Sequence, residues 1–210
     1  MSCRHRPPTA MQRHTSQPDH KRIMQLALIR HTRPAIAGGL CYGRLDVPLA
    51  DDREEAARAI LAQLTEMQDA IIISSPALRC QWLANWLAGQ MHSPPIMIDP
   101  RLQELDFGDW EGSRWDDIDR TALDRWAASP DDFTPPNGES MRALRHRIDQ
   151  IWAEWMCDRH NRIVVTHGGP LRILCAHAAA RAVDLTVFSP SFGSVMRADI
   201  PPDVRTPESD

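Results

Sequence analysis

The sequence predicts an α/β fold, a three-layer α/β/α sandwich built around a mostly parallel central sheet. Short apolar runs, which are typical of buried strands, alternate along the chain with longer segments whose apolar residues recur at helical spacing. This alternation favours parallel strands that are covered by helices on both faces. The chain has 210 residues, of which 42% are hydrophobic, so it can bury a sizeable core.

The predicted strands are short and apolar. The first run, QLALI, ends abruptly at Arg30 and His31, and a loop rich in glycine and proline follows it over 32–50. Runs such as AIIIS and RIVVT have no regular polar alternation, as expected of strands that are buried on both faces. The predicted strand ranges are 25–29, 70–75, 96–98, 162–166 and 194–200.

Helices are predicted between these strands from the spacing of apolar residues. The first helix has Asp51 or Asp52 as its N-cap, and Pro76 opens the second, because proline is favourable in a first turn. The remaining helical segments show the same spacing, including an apolar face that ends at Trp155. The predicted helix ranges are 51–67, 76–87, 114–133, 138–155 and 170–175.

A single domain is predicted over residues 24–202. Residues 1–23 are basic and polar without an apolar run, so we interpret them as a disordered extension and not as a secretory signal. Residues 203–210 are predicted to be a flexible tail. No stretch reaches the roughly 18 apolar residues that a membrane span needs, so no interaction with a membrane is expected.

Composition narrows the class of function. The net charge of −4 argues against a nucleic-acid partner, because proteins that bind nucleic acid usually carry a basic surface. The five cysteines form no CxxC pair, and their odd number favours reduced thiols and a cytoplasmic location. The nine histidines form no HxH, HxxxH or HExxH pattern, so no metal and no other cofactor is expected. The oligomeric state stays open, a homodimer included.

Several polar residues follow the predicted strands directly. Arg30 and His31 end the first strand, Arg79 follows the second, Glu104 lies in the loop after the third, and His167 ends the fourth. Taken singly, each has an ordinary structural explanation, such as a salt bridge or a turn. Because ligands of such sheets bind beyond the carboxyl ends of the strands, however, the set is expected to converge on one site.

These residue types suit the chemistry of phosphate monoesters. Arginine offers paired donors that match phosphate oxygens, and a neutral imidazole is a good nucleophile when its other ring nitrogen is held by a hydrogen bond. His31 is therefore predicted to attack phosphorus and to form a phosphohistidine, with His167 as a second, cationic donor to the phosphate. Glu104 is expected to protonate the leaving alkoxide. The predicted partner is a small-molecule phosphate monoester.

Four ordered segments resemble the histidine phosphatase superfamily, whose fold is described as phosphoglycerate mutase-like. They are LALIRHT, SSPALRC, LQELDFGDWEG and VVTHGGPLR, within residues 26–175. The resemblance implies that His31 is the nucleophile and Glu104 the proton donor. It also implies that Arg30, Arg79 and His167 form the phosphate pocket. Glu139 lies in a further segment that the family places near the pocket, and we expect it to support substrate binding.

Within the superfamily, RHTRP and CYGRLDVPL are most similar to the branch of α-ribazole-5′-phosphate phosphatases, which serve nucleotide-loop assembly in cobalamin biosynthesis. Tyr42 and Arg44 are the residues that we expect to touch the leaving group, although both could equally be ordinary loop residues. Two other functions are left open: a broad-specificity or sugar-phosphate phosphatase, and a regulatory protein that binds phosphate without turnover. Thr32 stands where many relatives have glycine, and Cys80 where alanine is common.

Overall fold

The computed structural model describes residues 22–184 and 190–202. The tail predicted for 203–210 lies outside the described residues, as does the predicted extension over 1–23 apart from its last two residues. Within the described ranges, no helix is both long enough and apolar enough to cross a membrane. Because most residues beyond positions 24 and 202 lie outside the described ranges, the domain boundaries at these positions stay predictions.

A mixed sheet of five strands forms the centre of the fold. The strands are β1 (Met24–Arg30), β2 (Ile71–Ser74), β3 (Met97–Ile98), β4 (Arg162–Thr166) and β5 (Val195–Ile200). Their order across the sheet is β3-β2-β4-β1-β5. All neighbouring strands pair in parallel except β5, which is antiparallel to β1. The mostly parallel sheet predicted from the sequence is thus confirmed.

Helices cover both faces of this sheet. They are α1 (Arg53–Leu61), α2 (Leu78–Met91), α3 (Arg120–Ala128), α4 (Met141–Asp158) and α5 (Gly168–Ala178). Residues of α1 and α2 pack against one face of the sheet, and residues of α4 and α5 pack against the other. The three predicted layers are therefore present. The helix α3 occupies only the middle of the segment predicted at 114–133.

The core explains why the strands have no polar alternation. In β1, Leu26 and Leu28 join the core on the side of α4 and α5, whereas Ala27 and Ile29 join the core on the side of α1 and α2. All four side chains are at most 1% exposed. Because successive side chains of a strand point to opposite faces, a strand covered on both sides needs apolar residues at every position.

The helix predicted over 51–67 is wrong in its second half, because α1 ends at Leu61. Leu64 and Met67 are nevertheless fully buried. They lie in successive turns in which the amides of Leu64, Met67 and Ala70 each donate to the carbonyl oxygen three residues earlier. Such turns return the chain to the same side every third residue, so they bury the same apolar positions that a helix would.

All five described helices start at positions that differ from the predicted ones, and capping contacts account for two of these starts. The helix α2 begins at Leu78 and not at Pro76, and the Leu78 amide donates to the Asp46 carboxylate at 2.9 Å. This acceptor comes from a distant loop, which no local pattern reveals. In α4 the cap is local, because Ser140 Oγ accepts from the Ala143 amide at 3.2 Å.

Candidate active site

Two histidines lie side by side where neighbouring strands end. His31 follows β1 and His167 follows β4, and these strands are in register with Arg30 opposite Thr166. The centroids of the two imidazole rings are 5.2 Å apart, at an interplanar angle of 67°. Both residues are almost fully buried. The structure thus brings together two groups that are 136 positions apart in the chain.

The His31 ring is held in one tautomer. Its Nδ1 lies 2.8 Å from the carbonyl oxygen of Thr32, which can only accept, so Nδ1 carries the proton. Nε2 then keeps its lone pair, as a nucleophile requires. Burial, with the positive charges of Arg79 and Arg30, lowers the pKa of His31 from 6.5 to about 3, despite the opposing bond to Thr32. The ring is therefore neutral at pH 7.

His167 has a partner at each ring nitrogen. Its Nε2 lies 2.7 Å from Ser75 Oγ, and its Nδ1 lies 3.2 Å from a guanidinium nitrogen of Arg79. Because arginine can only donate, Nδ1 accepts and Nε2 carries the proton. Burial, followed by the neighbouring His31 and Arg79, lowers the pKa of His167 well below 6.5. In the free protein the His167 ring is therefore neutral. The cationic form predicted from the sequence requires the negative charge of a bound phosphate dianion, which favours protonation of the ring.

The Arg79 guanidinium is fixed by the loop that precedes α1. It donates to the carbonyl oxygens of Gly43 and Leu45, the latter at 2.9 Å, and its side chain is fully buried. Its central carbon lies 5.5 Å from the centroid of the Tyr42 ring. A cation held in this way needs little rearrangement to meet a phosphate group, which favours electrostatic stabilisation of the transferring oxygens.

Arg30 is positioned by an aromatic residue that sequence reasoning missed. The Phe192 ring centroid lies 3.9 Å from the Arg30 guanidinium carbon and 5.3 Å from the centroid of the His31 ring. The amide of Gly193, which has a φ of +71°, lies 3.2 Å and 3.1 Å from the carbonyl oxygens of Arg30 and His31. Phe192 is a single aromatic residue in a short polar segment before β5, so nothing in its local sequence pointed to the site.

The Glu104 carboxylate lies against the first turn of α5. It accepts from the Gly169 amide at 3.1 Å and 3.2 Å, and from the Leu105 amide at 3.0 Å. A β-carbon on Gly169 would lie 2.3 Å from Glu104 Oε1, so only glycine allows this approach. Since α5 begins directly after His167, the contact places the acid beside the histidines.

These side chains enclose a cavity of about 140 Å³. Pockets that hold whole small molecules usually measure ~300–1,000 Å³, so this cavity suits a phosphoryl group and the first atoms of its ester. Leu40 and Trp115 contribute to it without having been predicted. The full lining comprises Arg30, His31, Leu40, Tyr42, Arg79, Glu104, Trp115 and His167.

Arg44 and Glu139, which were predicted to contact substrate, do not line this cavity. Arg44 forms ion pairs with Asp106 at 3.1 Å and with Glu139 at 3.5 Å. Glu139 also pairs with Arg147 at 2.8 Å, and Arg147 donates to the carbonyl oxygen of Glu104 at 3.0 Å. Glu139 therefore supports the Glu104 loop through Arg147, and the predicted contacts of Arg44 and Glu139 with substrate stay predictions.

The Cys80 thiol lies beside the site but is not reactive. Cys80 Sγ lies 3.5 Å from His167 Nε2, and burial raises the pKa of this thiol to about 12. The cysteine is therefore protonated at pH 7 and is no nucleophile. Among residues 22–184 and 190–202, no three His, Cys, Asp or Glu side chains form a group that could hold a metal ion.

Comparison with known proteins shows what the chain is similar to. The family model of the histidine phosphatase superfamily (branch 1) matches residues 26–200. Glucosyl-3-phosphoglycerate phosphatase of Mycolicibacterium vanbaalenii is 31% identical over 175 residues, which cover 78% of this chain and 77% of that relative. Adenosylcobalamin/alpha-ribazole phosphatase of Escherichia coli K12 is 30% identical over 159 residues, which cover 73% of this chain and 78% of that relative.

A solved structure shares the fold over almost its whole length. The crystal structure of the alpha-ribazole phosphatase from Shigella flexneri superposes with a TM-score of 0.75 at 25% sequence identity. The superposition covers 89% of this chain and 96% of that one. The range matched by the family model includes every residue that lines the cavity.

Proposed function

Because the chain belongs to the histidine phosphatase superfamily, we propose that it hydrolyses phosphate monoesters through a phosphohistidine at His31. One observation carries this proposal: His31, which lines the cavity, donates from Nδ1 to the Thr32 carbonyl oxygen at 2.8 Å, and this leaves its Nε2 unprotonated. The neutral ring can then attack phosphorus without first losing a proton.

The reaction proceeds in two transfers of the phosphoryl group. Arg30 and Arg79 hold the phosphate oxygens, and His167 joins them when the bound phosphate replaces one of its present partners. His31 Nε2 forms a bond to phosphorus as the ester P–O bond breaks. Glu104 gives its proton to the departing alkoxide. The Glu104 carboxylate then takes a proton from water, whose oxygen attacks the phosphohistidine. Inorganic phosphate leaves, and His31 and Glu104 return to the forms in which they began the reaction.

We propose α-ribazole 5′-phosphate as the substrate, in the nucleotide-loop branch of cobalamin biosynthesis. The segments RHTRP and CYGRLDVPL and the 30% identity to the relative from Escherichia coli K12 support this assignment. The proposal includes a cytoplasmic enzyme that uses no metal or other cofactor. The free state of the four described cysteines, Cys41, Cys80, Cys157 and Cys175, is compatible with a reducing compartment.

A sugar-phosphate phosphatase is the second candidate. The 31% identity to glucosyl-3-phosphoglycerate phosphatase of Mycolicibacterium vanbaalenii favours it. The two candidates share the same phosphate-binding groups and differ only in the leaving alcohol. Rates on matched substrates therefore separate them, whereas the geometry of the phosphate pocket does not.

The deciding experiment measures phosphate release in EDTA from α-ribazole 5′-phosphate, glucosyl-3-phosphoglycerate, 3-phosphoglycerate and an aryl phosphate. We expect the highest kcat/KM for α-ribazole 5′-phosphate. A higher value for glucosyl-3-phosphoglycerate would assign the second candidate. Equal, low kcat/KM values on all four substrates would be compatible with the histidine mechanism and would contradict the proposed substrate. Loss of all activity in EDTA would contradict a reaction without metal.

A second experiment tests the covalent intermediate. Rapid acid-free quenching after mixing with a labelled ester should trap protein-bound phosphate that is stable to base and labile to acid. His31→Ala should abolish both this label and turnover. Hydrolysis by His31→Ala at the parent rate would exclude the mechanism, and binding of phosphate without turnover by the parent would indicate a regulatory protein.

A further inference from the structure

The Glu111 carboxylate joins two loops of the site without lining the cavity itself. Its Oε1 accepts from the amides of Arg44 at 2.9 Å and Phe107 at 3.1 Å, and its Oε2 accepts from the Leu45 amide at 2.5 Å. Phe107 belongs to the segment after β3 that carries Glu104, whereas the other two donors belong to the loop before α1. One carboxylate thus satisfies three backbone donors from both loops.

Arg79 contacts the same stretch of backbone from the other direction. Its guanidinium donates to the carbonyl oxygens of Gly43 and Leu45, the latter at 2.9 Å. The Gly43 carbonyl and the Arg44 amide are the two ends of one trans peptide group and point in opposite directions. This peptide group therefore links the guanidinium to the Glu111 carboxylate. Leu45 makes a second link, since its amide donates to Glu111 and its carbonyl oxygen accepts from Arg79.

Close packing leaves this stretch of backbone little freedom to move. A β-carbon on Gly43 would lie 1.9 Å from the carbonyl oxygen of Leu105 and 2.9 Å from Glu111 Oε1. Leu105 directly follows Glu104, so the backbone that holds Arg79 packs against the segment that carries the proposed acid. Glu111 supplies hydrogen bonds that fasten these two segments to each other.

An arginine that is anchored through peptide groups keeps its charge available to a ligand. A carboxylate bonded directly to the guanidinium would compete with a phosphate dianion for its donors. The Asp46 carboxylate, at 3.9 Å from Arg79, is too distant for a hydrogen bond. Glu111 instead polarises the intervening peptide groups, and hydrogen bonds in such a chain strengthen one another. Among the described residues Arg79 Nε has no hydrogen-bond partner, so a donor remains for a phosphate oxygen.

We propose that Glu111 is a positioning residue for phosphate binding, and that it acts through the backbone of residues 43–45 on the Arg79 guanidinium. The proposal rests on the proposed function, because it takes Arg79 as a ligand of the phosphate group. Loss of the Glu111 carboxylate should let the guanidinium shift and should weaken binding of phosphate groups, whatever alcohol they are esterified to.

Binding of inorganic phosphate tests this role without requiring turnover. Glu111→Gln keeps the shape of the side chain, but its amide nitrogen is a donor where a carboxylate oxygen accepted. By titration calorimetry at pH 7, we expect the dissociation constant of phosphate to rise about tenfold. Asp119→Asn is the matched control, because it removes the same charge from an exposed carboxylate that accepts from the Ala122 amide at 2.8 Å. Its dissociation constant should stay within about twofold of the parent value.

Arg79→Lys distinguishes an action through Arg79 from a general loss of structure. Lysine keeps the charge but lacks the planar fork that contacts the two carbonyl oxygens. In this background Glu111→Gln should raise the dissociation constant of phosphate by less than about twofold, because both substitutions break one chain of contacts. A further rise of about tenfold would show that Glu111 acts independently of Arg79 and would overturn the proposal. An unchanged dissociation constant in Glu111→Gln alone would also overturn it.

Glu111→Asp gives the same comparison if thermal unfolding shows that Glu111→Gln is not folded. Aspartate keeps the charge but is shorter by one methylene group, so it cannot reach the amides of both loops at once. We expect weaker phosphate binding than in the parent, and little further weakening when it is combined with Arg79→Lys. Parental phosphate affinity in a folded Glu111→Asp would overturn the proposal.

Hydrolysis of an aryl phosphate separates failure of the positioning role from failure of the proposed function. Turnover by the parent, with an unchanged phosphate affinity in Glu111→Gln, would overturn the role of Glu111 and leave the phosphatase intact. A loss of phosphate affinity that depends on Arg79, in a protein that hydrolyses no ester, would support the role of Glu111 and contradict the phosphatase.

Discussion

The amide of Gly169 donates to both oxygens of the Glu104 carboxylate, and a β-carbon at Gly169 would lie 2.3 Å from Glu104 Oε1. Gly169 lies in the first turn of α5, whereas Glu104 lies in the loop after β3. The contact therefore joins two distant segments. As a result, the position of the proposed acid depends on the size of a residue that carries no reactive group.

Substituting this glycine should displace the acid. In Gly169→Ala the added carbon forces the carboxylate away from the α5 amide, and we expect kcat on alkyl phosphates to fall by about 10²-fold, as small misplacements of catalytic groups do. Steady-state kinetics measures the effect. Gly89→Ala is the control, because a β-carbon there meets nothing within 4 Å, and it should keep full activity. Parental kcat in Gly169→Ala would contradict the proposed dependence.

Glu104→Gln should separate substrates by leaving group. Hydrolysis of alkyl phosphates should lose roughly 10²–10⁴-fold in kcat, the usual contribution of general acid catalysis. Aryl phosphates should lose less, because a phenolate leaves without a proton. Glu154→Gln, which alters an exposed ion pair with Arg101, should leave both rates unchanged. Equal losses of kcat on alkyl and aryl phosphates would contradict the proposal that Glu104 is the general acid.

Phe192→Ala should weaken binding of the phosphate more than it slows chemistry. The ring contacts the Arg30 guanidinium, and a cation–π contact of this kind contributes about 1 kcal/mol. We expect KM to rise about fivefold with little change in kcat. Phe192→Tyr keeps the aromatic face and should restore KM. A variant Phe192→Ala with unchanged KM would show that Arg30 needs no such support.

The free energy of unfolding should decrease as the pH is lowered, because His31 is buried in its neutral form. The unfolded chain binds a proton at His31 below a pKa of 6.5, whereas the folded chain binds it only near a pKa of about 3. In this window the unfolded state holds the extra proton, so lowering the pH destabilises the fold by about 1.4 kcal/mol per unit for this group. Stability due to the neutral ring is complete above pH 6.5 and is lost as the pH falls towards 3.

His31→Gln provides the comparison. Urea unfolding between about pH 6 and pH 4 should give a free energy of unfolding whose slope with pH is smaller than that of the parent by about 1.4 kcal/mol per unit. The slope that remains reports the other titrating groups, His167 among them. If the two proteins had the same slope, His31 would not be neutral in the folded state.

The sheet and the approach of the two histidines could be predicted because each follows from a local pattern. RIVVT has an apolar centre, Ile163 to Val165, and forms β4 over the predicted range 162–166. His31 and His167 directly follow strands that pair in parallel, so their positions in the sequence determine their neighbourhood in space. Family resemblance added the roles of the residues, which stay proposals.

Other parts of the site depend on the paths of loops, which no periodicity encodes. Phe192 reaches Arg30 only because the chain before β5 turns back over the end of β1. Trp115 reaches the cavity because its segment pairs with Leu40. Asp46 caps α2 across 32 positions of sequence. Each of these contacts is long-range, and no local sequence pattern marks the residues that form it.

The bridge between Leu40 and Arg114 has an evolutionary consequence. The groups proposed to bind phosphate follow the strands of the sheet, whereas Leu40, Tyr42 and Trp115 line the cavity from two loops that are tied to each other. Substitutions in those loops can reshape this part of the cavity while the paired strands β1 and β4 keep the histidines in register. Proteins that descend from one ancestral scaffold can thus act on different substrates while they keep the same phosphoryl-transfer chemistry. For protein engineers, Leu40, Tyr42 and Trp115 are accordingly the first positions to randomise.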